Sequence, residues 1–401
     1  MDYNNTMNLI NYFPELTIFF QPIISTSSRG LFGVEALLRG YDEDGSIVSP
    51  YTLFDMCKTP EHLEFLSAKA IELTLEKFKL IQDEYPDILL FLNIEPTLIN
   101  EKWQKFKPLL LKQEINYNRI VLEIKEEFIQ DLDYLTQFSQ FFKTNGFFIA
   151  LDDFGSGCSN FERIKSIKPD VIKLDRSLMQ DLHKDVVHQE IVKAIANMAH
   201  NLGSAILAEG IEDLPDAVDA RTRSITLFQG FLFDKPMEKL ENIDYINLID
   251  KIETLVYKNT VDKMQLKIEQ FLNAKSIAQT ITKALKNGID CTNFTRCVEP
   301  LLAQHSELEA FYVLDIHGKQ ISETALRTDI NPFYLPAPSQ YDHSSKEYFA
   351  ITKESQSGEY LSRRYISQAS GNLCKTYVHR VTISNKTHFI CIDFTTETKE
   401  F

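Results

Sequence analysis

Residues 17–38 read TIFFQPIISTSSRGLFGVEALL. Two apolar runs, 17–24 and 31–38, are separated only by STSSRG at 25–30. Each run has strand length and is flanked by turn-forming residues, so each reads as a strand. Parallel neighbours need a crossover of about a dozen residues or more, so these two strands form an antiparallel hairpin. Both end in a polar residue, Gln21 and Glu35.

The pattern continues outward from this hairpin. Further runs read as strands at 88–94, 119–124, 147–152, 170–174, 204–209 and 225–229. Helical patterns fill most gaps, at 62–83, 97–113, 127–144, 185–202 and 214–221. Alternating strands and helices predict an α/β fold with a largely parallel sheet. The apolar content of 147–151 and 204–208 suits strands buried on both faces. Eight strands predict a closed barrel, a modified TIM (β/α)8 barrel in which one strand is antiparallel.

The later runs also end in polar residues: Asn93, Glu123, the pair Asp152 and Asp153, Lys173, Glu209 and Gln229. A carboxylate just past a buried strand is costly unless it is paired or binds a metal. A series of them describes a ring of strand ends facing one mouth, where barrel enzymes keep their active sites. Glu35, Asn93, Glu123 and Asp152 are oxygen donors of the kind that Mg²⁺ or Mn²⁺ takes. Asp153 is positioned to reach a second ion, and a metal pair suits phosphoryl transfer. Lys173 and Glu209 are the groups to position and deprotonate a water.

Composition bounds the alternatives. The chain has 401 residues, enough for two domains, and a net charge of −15. That charge argues against broad binding to DNA or RNA but leaves room for one small anion beside bound cations. No apolar run approaches membrane-span length, and the N-terminus lacks a basic signal-peptide region. The six cysteines form no C-x-x-C pair. A reducing cytoplasm is the expected setting.

The ordered motifs resemble a known family. GVEALLRG follows FFQPI. FLNIEP, VLEIKEE, ALDDFGSGCSNFERIKSIKPDVIKLDRS, AILAEGIED and LFQGFLFDKP come next in order. Over about residues 12–238 this series resembles the EAL domain family of bacterial cyclic di-GMP phosphodiesterases. The resemblance implies metal-dependent hydrolysis of cyclic di-GMP to linear pGpG, with two Mg²⁺ or Mn²⁺ ions per site. It assigns metal binding to Glu35, Asn93, Glu123, Asp152 and Asp153, and water activation to Lys173 and Glu209. It sets Gln21, Leu37, Arg39, Asp175, Glu212, Gln229 and Pro236 around the substrate. The forked donors of Arg39 suit a phosphate. Glu126 matches the glutamate that anchors the loop Gly155–Gly157, beside a dimer contact. Lys125, Glu95 and Cys158 depart from the family pattern, and none of them removes a ligand.

After Pro236 the character changes. Residues 239–287 are helical in pattern, with Tyr257, Val261, Met264, Ile268 and Phe271 spaced as a seam. Such a seam pairs two copies or packs one helix on its own domain. From 299 onward the chain reads as a small α+β domain. A hairpin turns at His317 and Gly318, and β-like runs lie at 359–367, 373–383 and 387–394. YDHSSKEYFA, GEYLSRRYIS and SGNLCKTYV resemble PAS/Cache-like sensory domains. Tyr341, Tyr348, Tyr360 and Arg364 line a pocket there, or form core and rim. The expected organisation is a barrel at 1–238, a helical linker at 239–298 and a sensory or dimerisation domain at 299–401. A homodimer is expected, with an unknown small-molecule or protein signal at the last domain. The alternative to an enzyme is a weakly catalytic cyclic di-GMP receptor.

Overall fold

A computed structural model describes residues 9, 12–99, 103–111, 115–125, 131–157, 161–241, 243–285, 291–327 and 336–395. Glu126 and Cys158 lie outside the described residues. The chain forms two compact units that part between Thr260 and Val261.

The first unit is built on β1 (Glu15–Ser25), β2 (Gly30–Tyr41), β3 (Ile47–Val48), β4 (Leu89–Ile94), β5 (Ile120–Lys125), β6 (Phe148–Phe154), β7 (Val171–Leu174), β8 (Ala205–Ala208) and β9 (Leu227–Phe228). β1 pairs antiparallel with β2, from Ser25 opposite Gly30 to Glu15 opposite Tyr41. It also pairs antiparallel with β9, which closes the barrel and leaves no open edge on its wall. From β2 through β4 to β9 every neighbour is parallel. β3 is an appendage on the end of β2. The hairpin in residues 17–38 and the single antiparallel strand are therefore as expected.

Helix starts follow local capping chemistry. Thr59 caps Pro60–Ile81, Asp131 caps Leu132–Thr144, Asp185 caps Val186–Leu202 and Asp213 caps Leu214–Thr222. The expected helix at 97–113 is not continuous. Among the described residues it is two short 3₁₀ turns, Pro96–Leu98 and Trp103–Lys105, then the short helix Lys107–Leu111. Pro108 lacks the amide donor that a continuous helix would use there. Pro50–Asp55, Phe161–Ile167 and Arg176–Met179 are short helices that periodicity does not reveal.

Two apolar layers hold the barrel. The outer one packs helices against strands, through residues such as Leu66, Leu75, Phe142, Ile149 and Ile172. The inner one fills the barrel with Ile23, Phe91, Val121, Ala150, Val171, Leu207 and Leu227. Gly33 makes room for this plug, since a Cβ there would stand 2.7 Å from the Leu89 carbonyl and 3.0 Å from the Phe91 ring.

Helix Ile246–Ala284 runs across the division between units. Tyr245, Ile249 and Ile252 pack in the barrel core, and Ala274, Ile277, Ala278 and Ile281 in the core of the second unit. Of the expected seam, Tyr257, Met264 and Ile268 are exposed, while Phe271 packs edge-on to Tyr377 within the second unit. Among the described residues no helix is long and apolar enough to cross a membrane.

The second unit holds an antiparallel sheet of β10 (Leu308–Leu314), β11 (Ala325–Leu326), β12 (Glu359–Leu361), β13 (Tyr365–Ile366), β14 (Leu373–Ile383) and β15 (Lys386–Thr395). One apolar cluster joins it to helix Cys291–Gln304 and the end of the long helix; another joins it to helix Glu347–Glu354. The turn at His317 and Gly318 is present, but its second arm pairs through the single bridge Leu314–Gln320.

Candidate active site

Side chains on a strand alternate between faces, so the residue two positions beyond a plug residue also faces inward. Asn93 follows Phe91 by two. Glu123 follows Val121, Asp152 follows Ala150, Lys173 follows Val171, Glu209 follows Leu207 and Gln229 follows Leu227 in the same way. Glu35 stands two beyond Gly33. Gln21 instead precedes Ile23 by two, because β1 runs the other way, and it pairs directly with Glu35. Gln21 thus lies inside its strand rather than at the end. The polar residues form one layer directly above the apolar plug.

Lys173 is the centre of that layer, with a side chain only 1% exposed. Its Nζ lies 2.6 Å from Glu123 Oε1, 2.7 Å from Glu209 Oε1, 2.8 Å from Asp152 Oδ1 and 3.7 Å from Glu35 Oε1. Burial alone would lower the lysine pKa. The carboxylates of Asp152, Glu123, Glu209 and Glu35 outweigh it and hold the ammonium well above its usual range. Burial pushes Glu123 well above the ordinary carboxylate value, and Lys173 offsets only part of this. Burial likewise raises Glu209 to about 8, against the pull of Lys173. One buried cation does not neutralise four converging carboxylates. The layer is short of positive charge, a condition that raises carboxyl pKa values.

A shift of register between β6 and β7, at Leu151–Phe154, marks the paired aspartates. Bulges of this kind re-aim side chains beside active sites. Asp153 adopts a left-handed φ of 55°. The acceptor atoms of Asp152, Asp153 and Glu209 gather within 4.8 Å of one another. Glu123 Oε1 and Oε2 accept no hydrogen bond from the described residues, and Oε1 has only its ionic contact with Lys173. Orphaned buried oxygens in an all-oxygen donor set fit a hard divalent cation. Asp153 itself pairs with Lys125, Nζ to Oδ2 at 2.9 Å. Burial and Asp152 raise the Asp153 pKa, and Lys125 opposes that rise.

Amides complete the layer. Asn93 Nδ2 donates to Glu35 Oε1 at 3.0 Å. Gln229 Nε2 donates to Glu35 Oε2 at 2.5 Å and to Gln21 Oε1 at 3.1 Å. Gln21 Nε2 donates in turn to the carbonyl of Asp234 at 3.2 Å. Asp234 carried no sequence signal, because it arrives through the return of the chain after β9. That return pairs Met237 with Phe20 and leaves Pro236 half-buried beside it. Leu37 and Arg39 share one face of β2, both half-buried, and the Arg39 guanidinium lies 5.9 Å from the Phe19 ring centre. Asp175 caps the short helix Arg176–Met179 by accepting from the Ser177 amide. Glu212 is not drawn into the cluster. It is exposed and paired with Arg176 at 3.0 Å.

Comparison with known proteins agrees with this arrangement. Residues 13–236 match the EAL domain family. The probable cyclic di-GMP phosphodiesterase PdeI of Escherichia coli (strain K12) is 28% identical over 230 residues, 56% of this chain and 29% of PdeI. The chain spans under half the length of the Escherichia coli relatives PdeI, PdeG and PdeB that it matches. The EAL-domain containing protein YkuI of Bacillus subtilis is 24% identical over 354 residues, 86% of this chain and 85% of YkuI. The YkuI crystal structure, in complex with substrate c-di-GMP and calcium, superposes with a TM-score of 0.82 at 22% identity. It covers 99% of this chain and 100% of that one, and shows the shared fold. Klebsiella pneumoniae BlrP1, in a manganese/cy-diGMP complex, is 25% identical with a TM-score of 0.50. It covers 55% of this chain and 56% of its own. With more than half of its length matched, and with its polar layer on a barrel closed by one antiparallel strand, this chain belongs to the EAL domain family.

Proposed function

We propose that the barrel hydrolyses one phosphodiester bond of cyclic di-GMP, giving linear pGpG and lowering the level of that messenger. The observation that carries this reading is the convergence of four carboxylates on Lys173 with the buried Glu123 Oε2 left without a partner among the described residues. Likeness to probable cyclic di-GMP phosphodiesterases of Escherichia coli and to BlrP1, which binds cyclic di-GMP, supports the substrate class.

Glu35, Asn93, Glu123, Asp152 and Asp153 would hold two divalent ions, Mg²⁺ or Mn²⁺. When bound, such ions offset phosphate charge and make a nearby water more acidic. Lys173 orients that water through an ammonium fixed by its four neighbours. Glu209, beside that water, is the group to accept the proton. Gln21, Gln229 and Asn93 hold Glu35 in one orientation through their amide chain. Arg39 meets a phosphate, while Leu37, Pro236, Asp175 and Glu212 border the nucleotide.

One observation favours the receptor alternative: the ammonium of Lys125 competes for Asp153. Incubating purified protein with cyclic di-GMP and Mg²⁺ or Mn²⁺, then separating the nucleotides by chromatography, distinguishes the two. The enzyme yields pGpG; a receptor retains the cyclic form. We also propose that the protein is a homodimer paired through the exposed Tyr257, Met264 and Ile268 face.

A further inference from the structure

We propose that Tyr245 and Asp234 are positioning residues for Glu35: they fix the sense of the amide chain that holds this carboxylate, and so tie the start of the long helix to the polar layer. The role rests on the reading that Glu35 holds a divalent ion.

The chain runs outward from the layer. Glu35 Oε1 accepts from Asn93 Nδ2 at 3.0 Å, while Glu35 Oε2 accepts from Gln229 Nε2 at 2.5 Å. Gln229 Nε2 gives its other hydrogen to Gln21 Oε1 at 3.1 Å. Gln21 Nε2 donates to the Asp234 carbonyl at 3.2 Å. The Asp234 carboxylate accepts from the Tyr245 hydroxyl, which lies 2.6 Å from Oδ2. Tyr245 immediately precedes helix Ile246–Ala284, and its carbonyl accepts from the Ile249 amide at 2.9 Å.

A primary amide has a donor end and an acceptor end, so such a chain has a sense. A carbonyl only accepts. The Asp234 carbonyl therefore turns the Nε2 end of Gln21 toward itself and the Oε1 end toward Gln229. Reversing Gln21 would set Nε2 against Gln229 Nε2, donor against donor. Gln229 would then have to reverse too, setting its oxygen against Glu35 Oε2. Both amides are buried, where an unmade bond carries its full desolvation cost. Gln229 Oε1 has no hydrogen-bond partner among the described residues, so the nitrogen is the end of this amide in use. The sense of the chain is set at residue 234 and felt at Glu35.

Residue 234 is held on two sides. Its amide donates to the Gly230 carbonyl at 3.2 Å, and a Cβ on Gly230 would run into the Ile211 backbone. Ile211 in turn donates to the Gln229 carbonyl at 3.1 Å and accepts from the Leu232 amide at 3.0 Å. Tyr245 grips the Asp234 side chain from the other side. It is 6% exposed, and its ring meets Phe233 edge-on at 6.2 Å. Burial first, and then the bond to Asp234, push the Tyr245 pKa up, so the hydroxyl keeps the proton it donates. A hydrogen bond to an ionised acceptor is also stronger than a neutral one.

The test is Mn²⁺ uptake by the full chain, read from the loss of the free-ion electron paramagnetic resonance signal, so it does not pass through hydrolysis. Tyr245→Phe removes one hydroxyl and no charge. It should weaken Mn²⁺ binding by at least about threefold, less than the roughly tenfold or more typical of a ligand's direct partner. Asp234→Ala should weaken it at least as much. Asp234→Asn keeps an acceptor for the hydroxyl and should bind at least about twofold better than Asp234→Ala. In a Gln21→Met background the chain is already cut, so Tyr245→Phe should have no further effect. Unchanged affinity in Tyr245→Phe, the outcome for a tyrosine that only anchors the helix, would overturn the role. So would Asp234→Asn binding no better than Asp234→Ala, or an equal loss from Tyr245→Phe with and without Gln21. A parent that takes up no Mn²⁺ would instead sink the metal site itself, and this role with it.

Discussion

The ammonium of Lys125 lies 2.9 Å from Asp153 Oδ2, on the strand directly beside the one that bears the paired aspartates. Asp153 is one of the carboxylates proposed above to hold metal. The pair is partly exposed, and such pairs contribute only about 0.2–1 kcal/mol. Lys125→Thr should therefore tighten the metal dependence of hydrolysis by no more than about fivefold. A titration of rate against Mn²⁺ concentration checks this, and an unchanged midpoint would free Lys125 of any such role.

Lys173 has the opposite standing, because four buried acids depend on it. Removing one partner of a buried ion pair costs about 3–5 kcal/mol. Lys173→Met should lose stability of that order at neutral pH in chelator. Acid should restore part of it, since the stranded carboxyls are then protonated. Urea denaturation at pH 5 and pH 8 reads the difference; equal losses at both would refute the charge argument.

Glu209 makes the stability of the metal-free protein depend on pH. Its folded pKa of about 8 stands above the ordinary value of 4.5. A carboxyl raised in this way favours the folded state fully below about 4.5 and loses that contribution as pH rises through about 8. Glu209→Gln should gain stability relative to the parent between pH 5 and pH 8 in chelator. Parallel denaturation curves across that window would show that Glu209 does not titrate there.

The eight strands were legible because each apolar run keeps its period and ends in punctuation. The polar layer was legible because its members were read at the ends of those runs, although Gln21 lies inside β1. Helix 97–113 was misread because apolar periodicity masked what Pro108 does to the backbone. The partners of Gln21 and Glu212 were invisible for a different reason. Asp234 and Arg176 reach them through chain returns that no local pattern encodes. The central position of Lys173 also follows from barrel closure, not from its neighbours in sequence.

Exposed Met264 and Ile268 on the long helix give the proposed dimer its most direct test. Converting both to glutamate places charge on a face that pairing would bury, at a cost of several kcal/mol. The parent should sediment as a dimer and the double variant as a monomer. Identical sedimentation of the two would remove this face from any pairing.

Glu35 joins the amides of Asn93 and Gln229 to the Lys173 cluster, so its loss isolates the chemistry from the fold. The decisive measurement is pGpG formed from cyclic di-GMP, followed by chromatography, for the parent and for Glu35→Ala in Mn²⁺ and in chelator. The parent should produce pGpG only with metal. Glu35→Ala should fall by at least about a hundredfold, roughly 2.7 kcal/mol in the barrier, while its far-ultraviolet circular dichroism is preserved. No product from the parent in Mn²⁺, or near-parental turnover by Glu35→Ala, would contradict a metal-dependent phosphodiesterase built on this layer.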